Sequence, residues 1–492
     1  MNTHRYIARL ILEASTPLFI GSGDSSLLKD ALVQKDFNGL PMIPGTAITG
    51  VLRHALLDNL EDGPKQENSW NSVFGYQEKK QGLGSRLLIS AAYLMLNEST
   101  MAEGIIEIDE KLKVKFDNLP SRQHVRIDHR GVAEKRGLFD NEVVYKGARF
   151  KFEIELIGEQ NDETAWDNII KNFQSPFFRL GQGTRNGYGE LSVKTLKSKI
   201  FDLTKEDDFI KYTDFDGSLN NDTCLDGHNL SDPEDHLNLI RYSLELTPDS
   251  YFFIFSEGFG DEEVDNKPLE EEVVTYTNGS IEFICKTVIP ASSIKGALAH
   301  RTAFHYNKLK ERYSDELFGP LGKENAIALY TGSGNKAVNE LFGLGSGFEW
   351  NNNVRERIKI MPPQEYDSYG EARRGRVVID DLYYSEVEVQ NNKIFNHVAI
   401  DRFTGGAMEG ALFSEKVSHL LDGENIVLKI CVENIEDEEI MNAFENALLD
   451  ITRGLLPLGG MTTKGMGIFT GTLLKNKLEI NTYHTNKKQN AE

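Results

Sequence analysis

Polar and apolar residues alternate through residues 241–248. Tyr242, Leu244 and Leu246 are set between Arg241, Ser243 and Glu245, the period-two mark of a strand with one buried face. Residues 6–13 are a second strand candidate, and both stretches run into a Thr-Pro pair, Thr16-Pro17 and Thr247-Pro248. The period changes after Pro44, where Ile48, Val51, Leu52, Ala55 and Leu56 fall at i, i+3, i+4, i+7 and i+8 and predict a helix with one buried stripe. Thr46 is its expected N-cap, and Ser292 or Ser293 is the cap of a matching helix after Pro290. Further helices are predicted at about 163–173 and 438–452, and strands over 86–94, 376–384, 189–193 and 467–471.

The pattern occurs twice. Ile43-Pro44-Gly45-Thr46 through Leu52 recurs as Ile289-Pro290-Ala291-Ser292 through Leu298, and His124-Val125-Arg126-Ile127-Asp128 recurs as His397-Val398-Ala399-Ile400-Asp401. A glycine box, Leu180 to Gly189, recurs as Leu458 to Gly467. Three boxes in one order, twice, mark a tandem duplication. The order strand, helix, strands, helix, glycine loop, strand predicts an α+β fold of two tandem ferredoxin-like (RRM-like, βαββαβ) domains with hairpin insertions. The expected division is 1–201, an exposed acidic linker at 202–238, 239–480, and a polar tail at 481–492. Residues 324–369, rich in Gly and Asn, are an extra stretch of copy two and read as a long loop.

Composition narrows the class. A chain of 492 residues with 39% hydrophobic residues is long enough for two cores. Its three cysteines, Cys224, Cys285 and Cys431, are far apart and fit buried or free thiols in a reducing cytosol, neither a disulfide frame nor a zinc site. No apolar run reaches the length of a membrane span, so a cytoplasmic protein without a membrane partner is expected. The net charge of −22 is concentrated in 202–235 (−9), 257–272 (−7) and 433–445 (−6), which leaves the rest of the chain neutral and able to carry basic patches.

Each box has two readings. Glycines at 181, 183, 187 and 189 let backbone N–H groups approach a phosphate, with Arg185 and Asn186 beside them and Lys464 in copy two; they also suit a tight helix-to-strand turn. The middle boxes end in hairpin loops carrying Arg126, Arg130 and Arg402, which suit insertion beside a nucleic-acid strand or an ordinary exposed hairpin. His124 and His397 fit structural hydrogen bonding, and His54 and His300, each ten residues after its proline, fit a partly buried structural place. No residue cluster has metal-site spacing.

Taken together the boxes resemble the RAMP superfamily, with two such domains fused as in the repeated backbone subunit of type III CRISPR effector complexes. The resemblance is carried by Leu18-Phe19-Ile20-Gly21-Ser22-Gly23, by Leu40 to Thr46, by Ile400 to Gly406, and by both glycine boxes. It implies a ribonucleoprotein subunit of antiviral defence that lines up along a CRISPR guide RNA with other effector subunits and cuts the paired target RNA. One loop aspartate carries cleavage in that family, and Asp30 stands at the motif position. Aligning Asn38-Gly39 with Asn278-Gly279 sets Glu270 opposite it in copy two. The resemblance further implies Mg²⁺, or another divalent cation, held at Asp30. Guide phosphates are expected near Thr46, Thr49, Arg53, Ser292, Ser293 and Lys295, because a helix N-terminus attracts anions, and RNA near Arg126, Arg130, Arg185, Asn186, Arg402 and Lys464. Two alternatives stay open: a metal-independent guide-RNA processing endoribonuclease and a non-catalytic RNA-binding scaffold.

Overall fold

The computed structural model describes residues 2–25, 29, 31–57, 70–77, 82–128, 130–228, 239–249, 252–256, 260–277, 279–313, 322–344, 372–421, 423–433 and 435–485. In copy one the elements are β1 (His4–Ala14), α1 (Gly45–Leu57), β2 (Leu87–Ile89), β3 (Ala92–Leu94), β4 (Ser121–Ile127), β5 (Ala133–Glu142), β6 (Arg149–Gly158), α2 (Glu163–Asn172) and β7 (Leu191–Asp202). The sheet runs β7–β1–β6–β2/β3, all antiparallel, the strand order of a ferredoxin-like core. Tyr6, Ala8, Leu10 and Leu12 are buried with Ile48, Leu52, Leu56, Trp166 and Ile169, so the period-two face of β1 meets the stripes of both helices. β4 and β5 form a hairpin outside this sheet.

After a short helix α3 (Glu206–Thr213), copy two repeats the plan with β8 (Leu239–Pro248), β9 (Glu270–Thr277), β10 (Ser280–Ile289), α4 (Ala291–Leu309), β11 (Val377–Ile379), β12 (Leu382–Tyr384), β13 (Val389–Ile400), β14 (Ala407–Leu420), β15 (Ile426–Glu433), α5 (Glu438–Thr452) and β16 (Phe469–Lys475). Its sheet order, β11–β15–β8–β16, matches that of copy one. Both copies are mixed α+β domains with a second core around Leu244, Leu298, Leu428 and Phe444. Among the described residues no helix is long and apolar enough to cross a membrane, and the three cysteines are free.

Several expectations change. Helix α1 starts at Gly45 and α4 at Ala291, so Thr46, Ser292 and Ser293 lie inside the first turn rather than at the caps. The first free N–H of α4 is taken instead by a distant carboxylate, Ala291 N donating to Asp381 Oδ1 at 2.7 Å. The expected strands over 86–94 and 376–384 are each broken in two, and β12 leaves the main sheet to pair with β10. The stretch read as a long loop in copy two opens with helices Lys323–Tyr330 and Lys336–Phe342, because Ala337, Val338, Leu341 and Phe342 pack into the second core; residues 345–371 lie outside the described residues. The acidic stretch expected as an exposed linker is folded onto copy one through residue 228. His54 and His300 are exposed, since each falls midway between buried positions of its helix, Leu52 and Leu56 in one and Leu298 and Thr302 in the other.

The copies are joined by a built interface. The hairpin β9–β10 of copy two enters copy one, where Val274 and Tyr276 join its core and Phe283 packs edge-on against Phe116 and Tyr145. Val274 N donates to Lys146 O at 2.8 Å, and Arg149 N donates to Tyr276 Oη at 2.9 Å. Around this apolar plug lies a charged clamp. Arg122 reaches Asp381 at 2.5 Å and both oxygens of Glu271 at 2.6 and 2.7 Å, Tyr383 donates to Glu271 at 2.8 Å, and Arg179 reaches Asp380 at 2.6 Å. Arg122 and Asp381 are both buried. Such pairs are tolerated in a low-dielectric interior only with several good hydrogen bonds, as here.

Candidate nucleic-acid interface

The hairpins β4–β5 and β13–β14 carry exposed apolar side chains, Val125, Ile127 and Leu138 in one and Val398, Ile400 and Leu412 in the other, beside exposed arginines. Their tips share one construction. In copy one, Asp128 Oδ1 accepts from Arg130 N at 2.8 Å and Val132 N at 3.2 Å, while Oδ2 takes the Arg130 guanidinium at 2.7 Å. In copy two, Asp401 Oδ1 accepts from Phe403 N at 2.6 Å and Thr404 N at 3.0 Å. Both aspartates are thus turn residues of the Asx kind, held below the usual carboxylate range, Asp128 at about 2 by the Arg130 side-chain hydrogen bond and Asp401 by its backbone donors. The tips they fold present Ile127, Val132 and Arg130 in one copy and Ile400, Arg402 and Phe403 in the other, Phe403 being 100% exposed. Arg126 is exposed beside them.

At the base of each hairpin a histidine stacks on the phenylalanine across the ladder, His124 on Phe139 with centroids 5.1 Å apart and His397 on Phe413 at 4.9 Å. His124 Nε2 is also 2.5 Å from the Tyr188 hydroxyl. Burial, then the neighbouring Arg122, lowers the His124 pKa to about 4, so the ring is neutral at physiological pH. His124 is thus held in the fold by a hydrogen bond and a stack, while His397 stacks in the same way with Glu415 Oε2 3.3 Å from its Nε2.

The glycine boxes behave differently in the two copies. Gly189 and Gly467, at φ +76° and +69°, pack against the carbonyls of Leu180 and Leu458, where any side chain would collide with backbone. That much is a tight turn. In copy one the loop tip is consumed by the inter-copy interface: Arg185 Nε donates to Gly375 O at 2.7 Å, Asn186 Oδ1 accepts from Lys295 at 3.1 Å, and Gly187 lies against Asp381 and Ala291. Burial lowers Arg185 to about 9 and Lys295 to about 8. These three residues, expected at guide phosphates, make contacts that join the two copies. In copy two Thr463, Lys464 and Gly465 are exposed, and the Lys464 ammonium lies 4.3 Å from the Phe413 ring centre at the hairpin base. A Gly187→Ala variant, with φ +97° and a new Cβ about 2.5 Å from Asp381 Oδ1, is expected to loosen the interface by about 1–3 kcal/mol. Faster hydrogen exchange in β9 and α4, with unchanged exchange in β7, is the measurement that checks it.

At the helix starts, Thr46 is exposed, Thr49 Oγ1 donates back to Gly45 O at 2.8 Å, and Arg53 is half-buried. Ser293 is exposed and Ser292 half-buried. Asp30 lies outside the described residues, but its flanks do not. Lys29 Nζ donates to Glu142 Oε1 at 2.7 Å, and Glu142 N donates to Ala31 O at 3.2 Å, at the end of β5. Glu270 is exposed, and its Oε1 accepts from Asn391 Nδ2 at 2.6 Å, at the start of β13. Glu270 is therefore held by the base of its own copy's hairpin, and in copy one Lys29 and Ala31 meet the corresponding hairpin base. Glu271 and Glu272 are committed to Arg122 and to Lys115 at 2.6 Å, which singles out Glu270 as the outward member of the run. No group of three or more His, Cys, Asp and Glu able to hold a metal occurs among the described residues. Sequence reasoning missed Arg122 and Asp381; their only signal was a buried-looking charge in each of two strands.

A family model described as the RAMP superfamily matches residues 11–192 and 286–470, one region in each copy. No curated protein matches the chain.

Proposed function

Because the chain belongs to the RAMP superfamily through both of its copies, we propose that it is the two-domain backbone subunit of a type III CRISPR ribonucleoprotein, binding guide RNA and cutting the paired target RNA. Membership carries the coarser statement, a CRISPR-associated RNA-binding subunit that works with CRISPR RNA and other effector chains. The observation that supports the finer reading most is the pair of hairpin tips, each folded on an aspartate and each presenting arginine beside exposed apolar side chains. Arginine neutralises phosphate, and an exposed Phe403 offers a face on which a base can stack. Lys464 and Arg53 add charge beside the second hairpin and on the first helix.

Cleavage is assigned to Asp30, with Glu270 as the corresponding group of copy two. RNA supplies its own nucleophile: the 2′-oxygen attacks the adjacent phosphorus, the bond to the 5′-oxygen breaks, water protonates the departing 5′-oxygen, and the products are a 2′,3′-cyclic phosphate and a 5′-hydroxyl. The carboxylate takes the 2′-hydroxyl proton, a general-base role. Mg²⁺, when bound, supplies charge neutralisation at the phosphate; one or two carboxylates with RNA oxygens suffice to hold it, and Glu270, exposed and partnered by a neutral amide, keeps acceptor capacity for it.

A combined Arg130→Gln, Arg402→Gln, Lys464→Gln variant is expected to weaken RNA binding across sequences. Each lost phosphate contact should flatten the slope of log K against log salt by about 0.7 to 1, measured by filter binding from low to physiological salt. An unchanged slope counts against the hairpin side as the RNA face. The exposed, repeated His54 and His300 favour a second reading, metal-independent guide-RNA processing; full activity in EDTA that is lost in a His54→Ala, His300→Ala variant would put it first.

A further inference from the structure

The first sheet has a second face. On β1, Arg5, Ile7 and Arg9 point away from the helices, and the register sets Lys199 beside Ile7 and Lys197 beside Arg9 on β7, with Glu153 beside Arg9 and Lys151 beside Ile11 on β6. On this face Arg5, Arg9, Lys151, Lys197 and Lys199 outnumber Glu155 and Glu153, which pair with Arg5 at 3.5 Å and Arg9 at 2.7 Å, so the three strands carry an excess of cations next to Phe201. In RRM-like sheets an open face of this kind, basic with an aromatic, is where single-stranded RNA lies.

In copy one that face is covered by residues 203–228, which hold seven acids and two bases. The cover grips the cations with backbone and carboxylate oxygens. Arg9 is 0% exposed at its side chain: Nη2 donates to Asp216 O at 2.7 Å, Nη1 to Ser218 O at 2.7 Å and Asn221 O at 2.5 Å, and Phe215 lies 4.7 Å from its guanidinium. Asp222 takes Lys151 at 2.8 Å and Lys197 at 3.2 Å, and Asp226 takes Lys199 at 3.6 Å. Leu225, Phe201 and Ile7 pin the segment with a small apolar cluster. The equivalent face of copy two bears Arg241, Ser243, Glu245 and Thr247 with Val427 and Lys429. Glu245, Thr247, Val427 and Lys429 are exposed there, and that face is poorer in cations. The cover lies on the base-rich face.

We propose that residues 203–228 are an acidic strap that occupies the basic outer face of the first sheet in place of a polyanion, and so keeps RNA off that face and on the hairpin side. This rests on the RNA-binding reading. A chain whose affinity comes from phosphate contacts binds RNA on any open basic face, and a second such face would compete with the productive one.

The test uses the full chain and a 20-nucleotide oligouridylate. Asp222→Asn with Asp226→Asn is expected to steepen the salt slope of binding by about one, and RNA should then protect Lys197 and Lys199 from acylation. A control with the same change in net charge, Glu206→Gln with Asp207→Asn on the exposed start of α3, is expected to keep the wild-type slope. In the wild-type background, Lys197→Gln with Lys199→Gln should change nothing. A folded Asp222→Asn/Asp226→Asn protein with the wild-type slope, or a wild-type slope that falls with the two lysines, overturns the proposal and leaves the segment a structural cover only. If the aspartate variant does not fold, the lysine variant decides alone. Binding by the aspartate variant but not by the wild type upholds the strap and sinks the hairpin-side reading; binding by neither sinks both.

Discussion

Replacing Asp30 by Ala in the assembled complex is expected to abolish the target cut opposite copy one while guide and target remain bound. The expectation follows from chemistry that needs little from the protein. The 2′-hydroxyl is already in the RNA, so a loss of the one carboxylate that accepts its proton removes the accelerated path; general-base contributions of this kind are about 10²–10⁴-fold. The neighbours Lys29 and Ala31 are tied to Glu142 through their own atoms, so the fold and RNA binding are expected to survive the substitution. Products ending in a 2′,3′-cyclic phosphate and a 5′-hydroxyl, resolved on a sequencing gel of end-labelled target, check the route of attack. Glu270→Ala should remove a second cut only where copy two is competent, and an identical ladder from wild type and Asp30→Ala puts the non-catalytic scaffold in front.

The second large effect is on the joint between the copies. Arg122→Ala leaves Glu271 and Asp381 without their cation in a largely buried interface, and breaking a buried pair on one side costs about 3–5 kcal/mol. Asp381 is already pushed up to about 6, by burial above all. Without Arg122 the folded-state pKa of Asp381 rises further above the unfolded value, so the folded protein takes up a proton on acidification. The deficit against wild type should be larger at pH 8 and shrink as pH falls towards 6, below which Asp381 is protonated in both proteins. Urea unfolding of the two proteins at pH 8 and pH 5 measures it; equal deficits at both values would mean that the orphaned carboxylates are solvated. Fixing the copies also fixes the distance between their hairpins, which links this joint to where on an RNA the chain can act.

Much of this was legible in the sequence. The alternation of Tyr242, Leu244 and Leu246, the stripe from Ile48 to Leu56 and the helix at 438–452 are local patterns, and local patterns survive folding. The turn aspartates Asp128 and Asp401 were visible as repeated residues before glycines. What stayed hidden depends on contacts between distant residues. Arg185 and Lys295 have the composition of phosphate ligands, and only the docking of copy two onto copy one turns them inward. Asp381 caps α4 from 90 residues away, so no N-cap rule could find it. The stretch 203–228 has the composition of a solvated linker because its carboxylates are matched by cations on other strands. The helices at 323–342 were masked by surrounding Gly and Asn.

The most direct test of RNA binding by both copies is ultraviolet cross-linking of the chain to a guide RNA, with the linked peptides identified by mass spectrometry. Cross-links in both hairpins, at 126–132 and at 400–408, with Phe403 foremost, are the expected result. Cross-links confined to one copy, or found on the outer sheet face with none in the hairpins, would contradict it.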